Sequence, residues 1–318
     1  MGRVGEHYSV VLKLFLVKSL RNFYELYIYY LYMPIKIAAL FSFIIFFSAA
    51  AYAADIDKDQ YTLFNPTPID QMRSFSTDRP GKMDTPYSVD AGHFQTESDI
   101  WNYSYNNFAD DGSNTTTKLT SIFPTNFKVG LTNNSEFQLI EETYLNQQVK
   151  DNHTGDTQKA DGIGDVTTRV KFNLWGNDGG TSALAAIPYV KFATNADHLE
   201  NRLPQFGASF PFNYSLNSKV ALSYMFQYNR APNSADSEYH NEFINVEKVT
   251  YNFTPAVAGY TELFQLTSEE PHQSWQSSLD FAVEYAITAN SQLDAGCNFG
   301  LTENQPEYNP FIGISFRF

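Results

Sequence analysis

The last ten residues, NPFIGISFRF (309–318), decide the fold. Stepping back by twos from Phe318 gives Phe316, Ile314 and Ile312, and the residues between them are Arg317, Ser315 and Gly313. That is a period of two, an extended strand with one apolar and one polar face. The strand runs to an aromatic ring at the end of the sequence with no polar tail behind it.

The same alternation recurs upstream. In SQLDAGCNFGL (291–301) Leu293, Ala295, Cys297, Phe299 and Leu301 share a face; in QFGASFPFNYSL (205–216) Phe206, Ala208, Phe210, Phe212 and Tyr214 do. VALSYMFQY (220–228) and WQSSLDFAVEY (275–285) behave alike. Each has about the nine to eleven residues that a tilted strand needs to cross a bilayer. From residue 92 onward about twelve such strands can be counted. The connections after strands one, three and five are long and polar: NNFADDGSNT (106–115), VKDNHTGDTQKADGIG (149–164) and NADHLENRLP (195–204). Those after strands two, four, six, eight and ten (TNNS, GNDGG, SLNS, TPA, AITAN) are tight and rich in turn formers. Alternating long and short connections are what an antiparallel outer-membrane β-barrel uses, and a soluble sandwich has no need of them. A closed barrel also explains the terminus. Its last strand must pair with its first, since an open edge in lipid would leave backbone groups unsatisfied. Phe318 is therefore read as the terminal aromatic signal for the barrel-assembly machinery.

At the other end, MPIKIAALFSFIIFFSAAAYAADID (33–57) has a lysine at Lys36, an apolar run from Ile37 to Phe47 and small residues at Ala51 and Ala53. These are the parts of a secretory signal peptide, expected to span residues 33–54 and to be cleaved near Ala53 or Ala54. Residues 1–32 are then an extension upstream of a start at Met33; the rival reading, inner-membrane helices, is weakened by Lys18, Arg21 and Glu25. Export would remove five of the 21 basic and two of the 35 acidic side chains, leaving 16 against 33 and a formal charge of −17. Such a surface repels nucleic acid. Cys297 is the one cysteine, which excludes an internal disulfide and a cysteine-based metal site. Residues 55–91, with four prolines and no alternation, are expected to form either a periplasmic extension or a plug within a barrel of residues 92–318.

Three stretches carry a resemblance: FSTDRPGKMDTPYSVDAGHFQTESD (75–99), KVGLTNNSEFQL (128–139) and GIGDVTTRVKFNLWGNDGG (162–180). Together they resemble the bacterial outer-membrane family named after the meta-cleavage pathway of phenol degradation, whose members are usually labelled transporters. Met83 stands where that pattern has a small polar residue. The resemblance implies an outer-membrane barrel and supplies no catalytic residues. Read physically, the glycines at 162–164 and 176–180 permit tight turns. DGIGD lacks the lysine and helix of a phosphate loop. Asp78 and Arg79 either pair locally in a turn, clamp the segment before the barrel to the lumen wall or bind a solute.

If the apolar faces meet lipid, charged side chains point inward. Lys128, Arg169, Lys171 and Lys191 then lie on one arc of the lumen, and Glu97, Asp99, Asp280, Glu284 and Asp294 on another. Opposed arcs would set a transverse field across a pore, or would pair and fill a narrow lumen. Other chemistry is thin. His93, His153, His198 and His240 have no metal-ligand spacing, and no cofactor is expected. His272 and Ser274 are one residue apart, as in the outer-membrane phospholipase, but no further sequence match supports a lipase. Trp101, Trp175 and Trp275 are candidates for an interfacial girdle. The function expected is passive passage of small molecules, aromatic or hydrophobic compounds among them, through a non-enzymatic outer-membrane channel in contact with lipid. A structural or adhesive barrel with a blocked lumen is the alternative, and a membrane-embedded lipase a more distant one.

Overall fold

A computed structural model describes residues 58–110, 113–196, 199, 202–233, 235, 237–271 and 273–318. The leader readings for residues 1–54 lie outside these, as do His198 and His272.

Fifteen strand segments follow one another among the described residues: β1 (Phe94–Asp110), β2 (Ser113–Ile122), β3 (Thr125–Thr132), β4 (Ser135–Glu141), β5 (Tyr144–Asp151), β6 (Thr157–Gly162), β7 (Val166–Trp175), β8 (Ser182–Phe192), β9 (Gln205–Ser215), β10 (Val220–Pro232), β11 (Tyr239–Asn252), β12 (Val257–Ser268), β13 (Gln276–Thr288), β14 (Ser291–Gly300) and β15 (Asn309–Arg317). All pairings are antiparallel, and β15 pairs with β1 to close the sheet on itself. Because β2–β3, β4–β5 and β6–β7 are each one crossing broken in the middle, the barrel has twelve strands. The seam is sealed to its last residue. Phe94 and Phe318 exchange backbone hydrogen bonds of 3.0 and 2.9 Å, and their rings stack at 6.1 Å.

The breaks lie side by side. Phe123 takes a positive φ of 53° ahead of Pro124, which has no N–H to give to the ladder. Pro124 instead accepts from the Asp99 N–H at 3.2 Å, next to a register shift in β1 between Asp99 and Trp101. Glu142 in the next break accepts from the Gly164 N–H in the third at 2.7 Å. Above this row of kinks the outer half of β1 pairs with β2, β2 with β5 and β5 with β6, a four-stranded extension rich in Thr, Asn and Gln. The sequence expectation of long loops at 106–115 and 149–164 is corrected here: both stretches are mostly strand among the described residues. They escape a periodicity reading because strands that have left lipid need no apolar face.

Within the barrel the outward positions are mostly apolar and the inward ones mostly polar, as a lipid-facing wall requires, with Glu247 and Thr261 among the outward exceptions. Exposed aromatics ring both ends: Phe94, Phe172, Trp175, Tyr214, Tyr251, Tyr285 and Phe318 near the short turns, and Trp101, Phe123, Tyr144, Phe206, Phe299 and Tyr308 near the long connections. Both chain ends of the barrel lie at the short-turn mouth, together with turns 133–134, 176–181, 216–219, 253–256 and 289–290.

Candidate functional site

The polar inner wall is covered by residues 58–93, which form no strand and only one 3-10 turn, Ile69–Gln71. The segment starts at the short-turn mouth. Lys58 Nζ lies 2.6 Å from Asp178 in the β7–β8 turn, and Thr62 bridges Thr132 at the end of β3. Arg73 gathers both limbs by donating to the Ser88 carbonyl at 2.6 Å, to Asn133 Oδ1 at 2.6 Å and to Asp178 at 3.2 Å. Burial pushes the Asp178 carboxyl up, but Arg73 and the hydrogen bonds from Lys58 and Asn133 outweigh it and hold the group below the usual aspartate range. The returning limb is fastened by its backbone. Asn173 donates to the Pro86 carbonyl at 2.8 Å, the Ser88 N–H donates to Asn177 at 3.0 Å, and the Val89 N–H donates to Glu136 at 2.5 Å. Asp90 meets Arg317 at 3.3 Å before the chain enters β1.

Between the limbs lies the tip, Asp78–Asp84, whose charges divide by side. Asp78 faces the basic arc, with Lys128 Nζ at 2.5 Å, Lys171 Nζ at 2.8 Å and Arg169 Nη2 at 3.4 Å. Asp84 adds a 2.8 Å contact to Arg169 and accepts from Ser209 at 2.9 Å. Arg79 points the opposite way, to Asp99 and Asp294 at 2.6 Å each. Lys82 reaches Asp280 at 3.1 Å, and its N–H donates to Glu262 at 2.7 Å. Met83 fills an apolar gap between the arcs, packed with Met225, Ile244, Val246 and Phe264. A small polar residue there would leave that gap unfilled. Opposite charges on one short tip thus match opposite charges on two sides of the wall.

Of the inward residues read from sequence, Lys128, Arg169, Lys171, Glu97, Asp99, Asp280 and Asp294 meet at this tip, but Glu97, read onto the acidic arc, instead pairs with Lys128 on the basic side at 2.5 Å because β1 and β3 are neighbouring strands. Glu284 lies directly across from Asp294 on the neighbouring strand. Lys191 stands apart, 3.5 Å from Asp165 near the long-loop end. Sequence reading missed Glu136, Gln138 and Glu262, all fully buried on the inner face, although their alternation with Phe137, Leu139 and Leu263 marks them. It also missed Lys82 and Asp84, for which an irregular segment gives no directional signal. His93 Nε2 donates to the Thr67 carbonyl at 2.7 Å, and His240 sits 3.2 Å from Glu242. Among the described residues no group of side chains is arranged to hold a metal ion.

Two glycines let the segment lie flat on the wall. A Cβ on Gly313 would fall 2.1 Å from Arg79 Nη2, and one on Gly130 would fall 2.0 Å from the Asp90 carbonyl oxygen. Gly313→Ala should therefore push the guanidinium off its carboxylates. Losing one charge-assisted hydrogen bond corresponds to about tenfold more time in the detached state. Limited proteolysis of residues 58–91 in the folded protein reads this directly, with cleavage expected to accelerate while the barrel itself stays resistant. An unchanged cleavage rate would mean that Arg79 does not hold the tip.

A family model described as MetA-pathway of phenol degradation matches residues 77–318. Among solved structures, the COG4313 outer membrane channel from Pseudomonas putida F1 superimposes with a TM-score of 0.56 at 14% identity, covering 76% of this chain and 99% of that one. The NanC porin gives 0.42 at 11% identity over 70% and 98%, and the translocator domain of the autotransporter NalP from Neisseria meningitidis gives 0.45 at 7% over 71% and 88%. At these identities the likeness is one of fold. No curated protein matches.

Proposed function

The chain belongs to the outer-membrane family of the MetA pathway of phenol degradation, and on that premise we propose that it is a passive channel for small molecules, closed at rest by residues 58–91. The observation that carries this reading is the two-sided ionic fit of the tip. A permanent core would be held by apolar packing, whereas here one methionine accompanies at least four ionic contacts. When the tip withdraws, water or a charged solute can take the place of each broken ion pair on the wall, whereas exposed apolar surface gains no such replacement partner. A cavity of about 930 Å³ beside the segment, lined by Tyr87, Asn213, Ser223, Lys248 and Glu284, leaves room for a tip displaced toward the short-turn mouth.

The solutes proposed are small aromatic or hydrophobic compounds, in keeping with the pathway that the family label names. Lipid would surround the aromatic bands, and Phe318, at the end of the closing strand, would be read by the barrel-assembly machinery. The four-stranded polar extension favours the second reading, a structural or adhesive barrel. Single-channel conductance of residues 55–318 in a planar bilayer, with and without residues 55–91, separates the two. Brief, rare openings that become sustained on deletion are expected; silence in both forms would leave the structural reading.

A further inference from the structure

The acidic arc has a chemistry of its own. Glu262 lies directly across from Asp280, and Glu284 directly across from Asp294, so two cross-strand neighbours carry like charge, an arrangement that destabilises a sheet unless cations are present. With Asp99 there are five carboxylates on this arc. The wall itself supplies Lys248, 4.0 Å from Glu262, and the tip supplies Arg79 and Lys82.

Each of these cations also rests on an aromatic ring. Arg79 Cζ is 6.0 Å from the centre of Phe311, Lys82 Nζ 4.5 Å from Phe264 and Lys248 Nζ 5.3 Å from Tyr260. A carboxylate beside a ring face is a socket for an organic cation, since the ring quadrupole and the anion both attract the positive head while the ring covers its apolar part. The third ring brings an independent sign. Tyr260 is 5% exposed, opposite Ala282 and so diagonal to both Asp280 and Glu284, and its hydroxyl has no hydrogen-bond partner among the described residues. Oε2 of Glu262, fully buried and 4.0 Å from the Lys248 ammonium, likewise accepts no hydrogen bond there. A buried hydroxyl and a carboxylate oxygen without donors cost stability unless a donor-bearing cation comes to them. The cavity beside the segment reaches this arc through Arg79, Lys248 and Glu284, and its volume of about 930 Å³ is in the range of small-molecule sites.

We propose that the acidic arc binds cationic solutes, primary amines or guanidinium groups carried on an aromatic or apolar body, and that Arg79 and Lys82 occupy its sockets as tethered stand-ins for them. The solute then competes with the tip for the same carboxylates, which couples solute arrival to release of the segment. This rests on the channel reading above and narrows its solute class.

Benzylammonium, benzyl alcohol and benzoate at matched ionic strength are the probes, with the full mature chain in two measurements: calorimetric binding in detergent and open probability in a bilayer. Benzylammonium should bind and raise open probability, and benzyl alcohol and benzoate should do neither. The double variant Arg79→Ala/Lys82→Ala should bind benzylammonium about tenfold more tightly, because the competing tip has lost its hold on the sockets. Asp280→Asn/Asp294→Asn should lose that binding. Equal binding of benzyl alcohol, or no tightening in the Arg79/Lys82 variant while that variant conducts, overturns the proposal and leaves the channel reading standing. Tightened binding with silence in every form, the 55–91 deletion included, keeps the socket and overturns the channel.

Discussion

Lys171→Met is expected to lower the unfolding free energy of the barrel by about 3–5 kcal/mol, the usual cost of breaking a buried ion pair from one side. The Lys171 side chain is fully buried, its Nζ 2.8 Å from Asp78, 3.2 Å from Glu136 and 3.1 Å from the Tyr87 carbonyl. Around it, Lys128 also serves Asp78 and Glu97, and Arg169 serves Asp78 and Asp84. With Lys171 gone, four carboxylates face two cations. Methionine nearly fills the volume, so the loss is electrostatic and not a cavity. Adding Glu136→Gln should recover much of it, because glutamine removes the surplus anion and its carbonyl can still accept from the Val89 N–H that Glu136 binds at 2.5 Å. Urea unfolding in lipid vesicles, run on both single variants and the double, yields the coupling. A change below about 1 kcal/mol for Lys171→Met would mean that water already reaches this cluster and screens it as it does a surface pair.

The closed twelve-strand wall was legible because lipid imposes a single rule on it. Outward positions are mostly apolar, so parity turned Lys128, Arg169, Lys171, Asp280 and Asp294 inward, and strand order set the first three on one side of the lumen and the last two on the other. Height is less legible than facing. Lys191 obeys the same parity yet ends up with Asp165 near the long-loop end, because register between strands depends on turns and on the kinks at Phe123 and Glu142 that no alternation announces. The tip was least legible of all. Asp78 and Arg79 are adjacent in sequence and could be read either as a local pair or as a clamp to the wall; they diverge to opposite walls, since each finds a cluster of opposite charge there. An irregular segment takes its shape from what it binds, and that information is written in the strands around it.

Arg79→Glu tests the ionic fit of the tip at its most exacting point. In the folded protein the guanidinium bridges Asp99 and Asp294, both at 2.6 Å, with Gly313 beneath it and Phe311 alongside. Glutamate there loses both pairs and sets a third carboxylate against the other two, beside a Glu284 that already faces Asp294. A penalty of about 3–5 kcal/mol for the seated tip corresponds to a rise of about two to nearly four powers of ten in the population with the tip withdrawn. Under the channel reading, open probability in a bilayer climbs by about that factor, and Asp294→Lys in the same chain brings it back down by giving the new glutamate a partner. Under the structural reading the same substitution loosens the segment, visible as faster proteolysis at 58–91, while the bilayer stays silent. The compensating change at Asp294 is what separates a charge-keyed closure from simple damage: a barrel injured by Arg79→Glu would be injured further by a second altered charge, and only a lock whose parts recognise each other by sign is repaired by it.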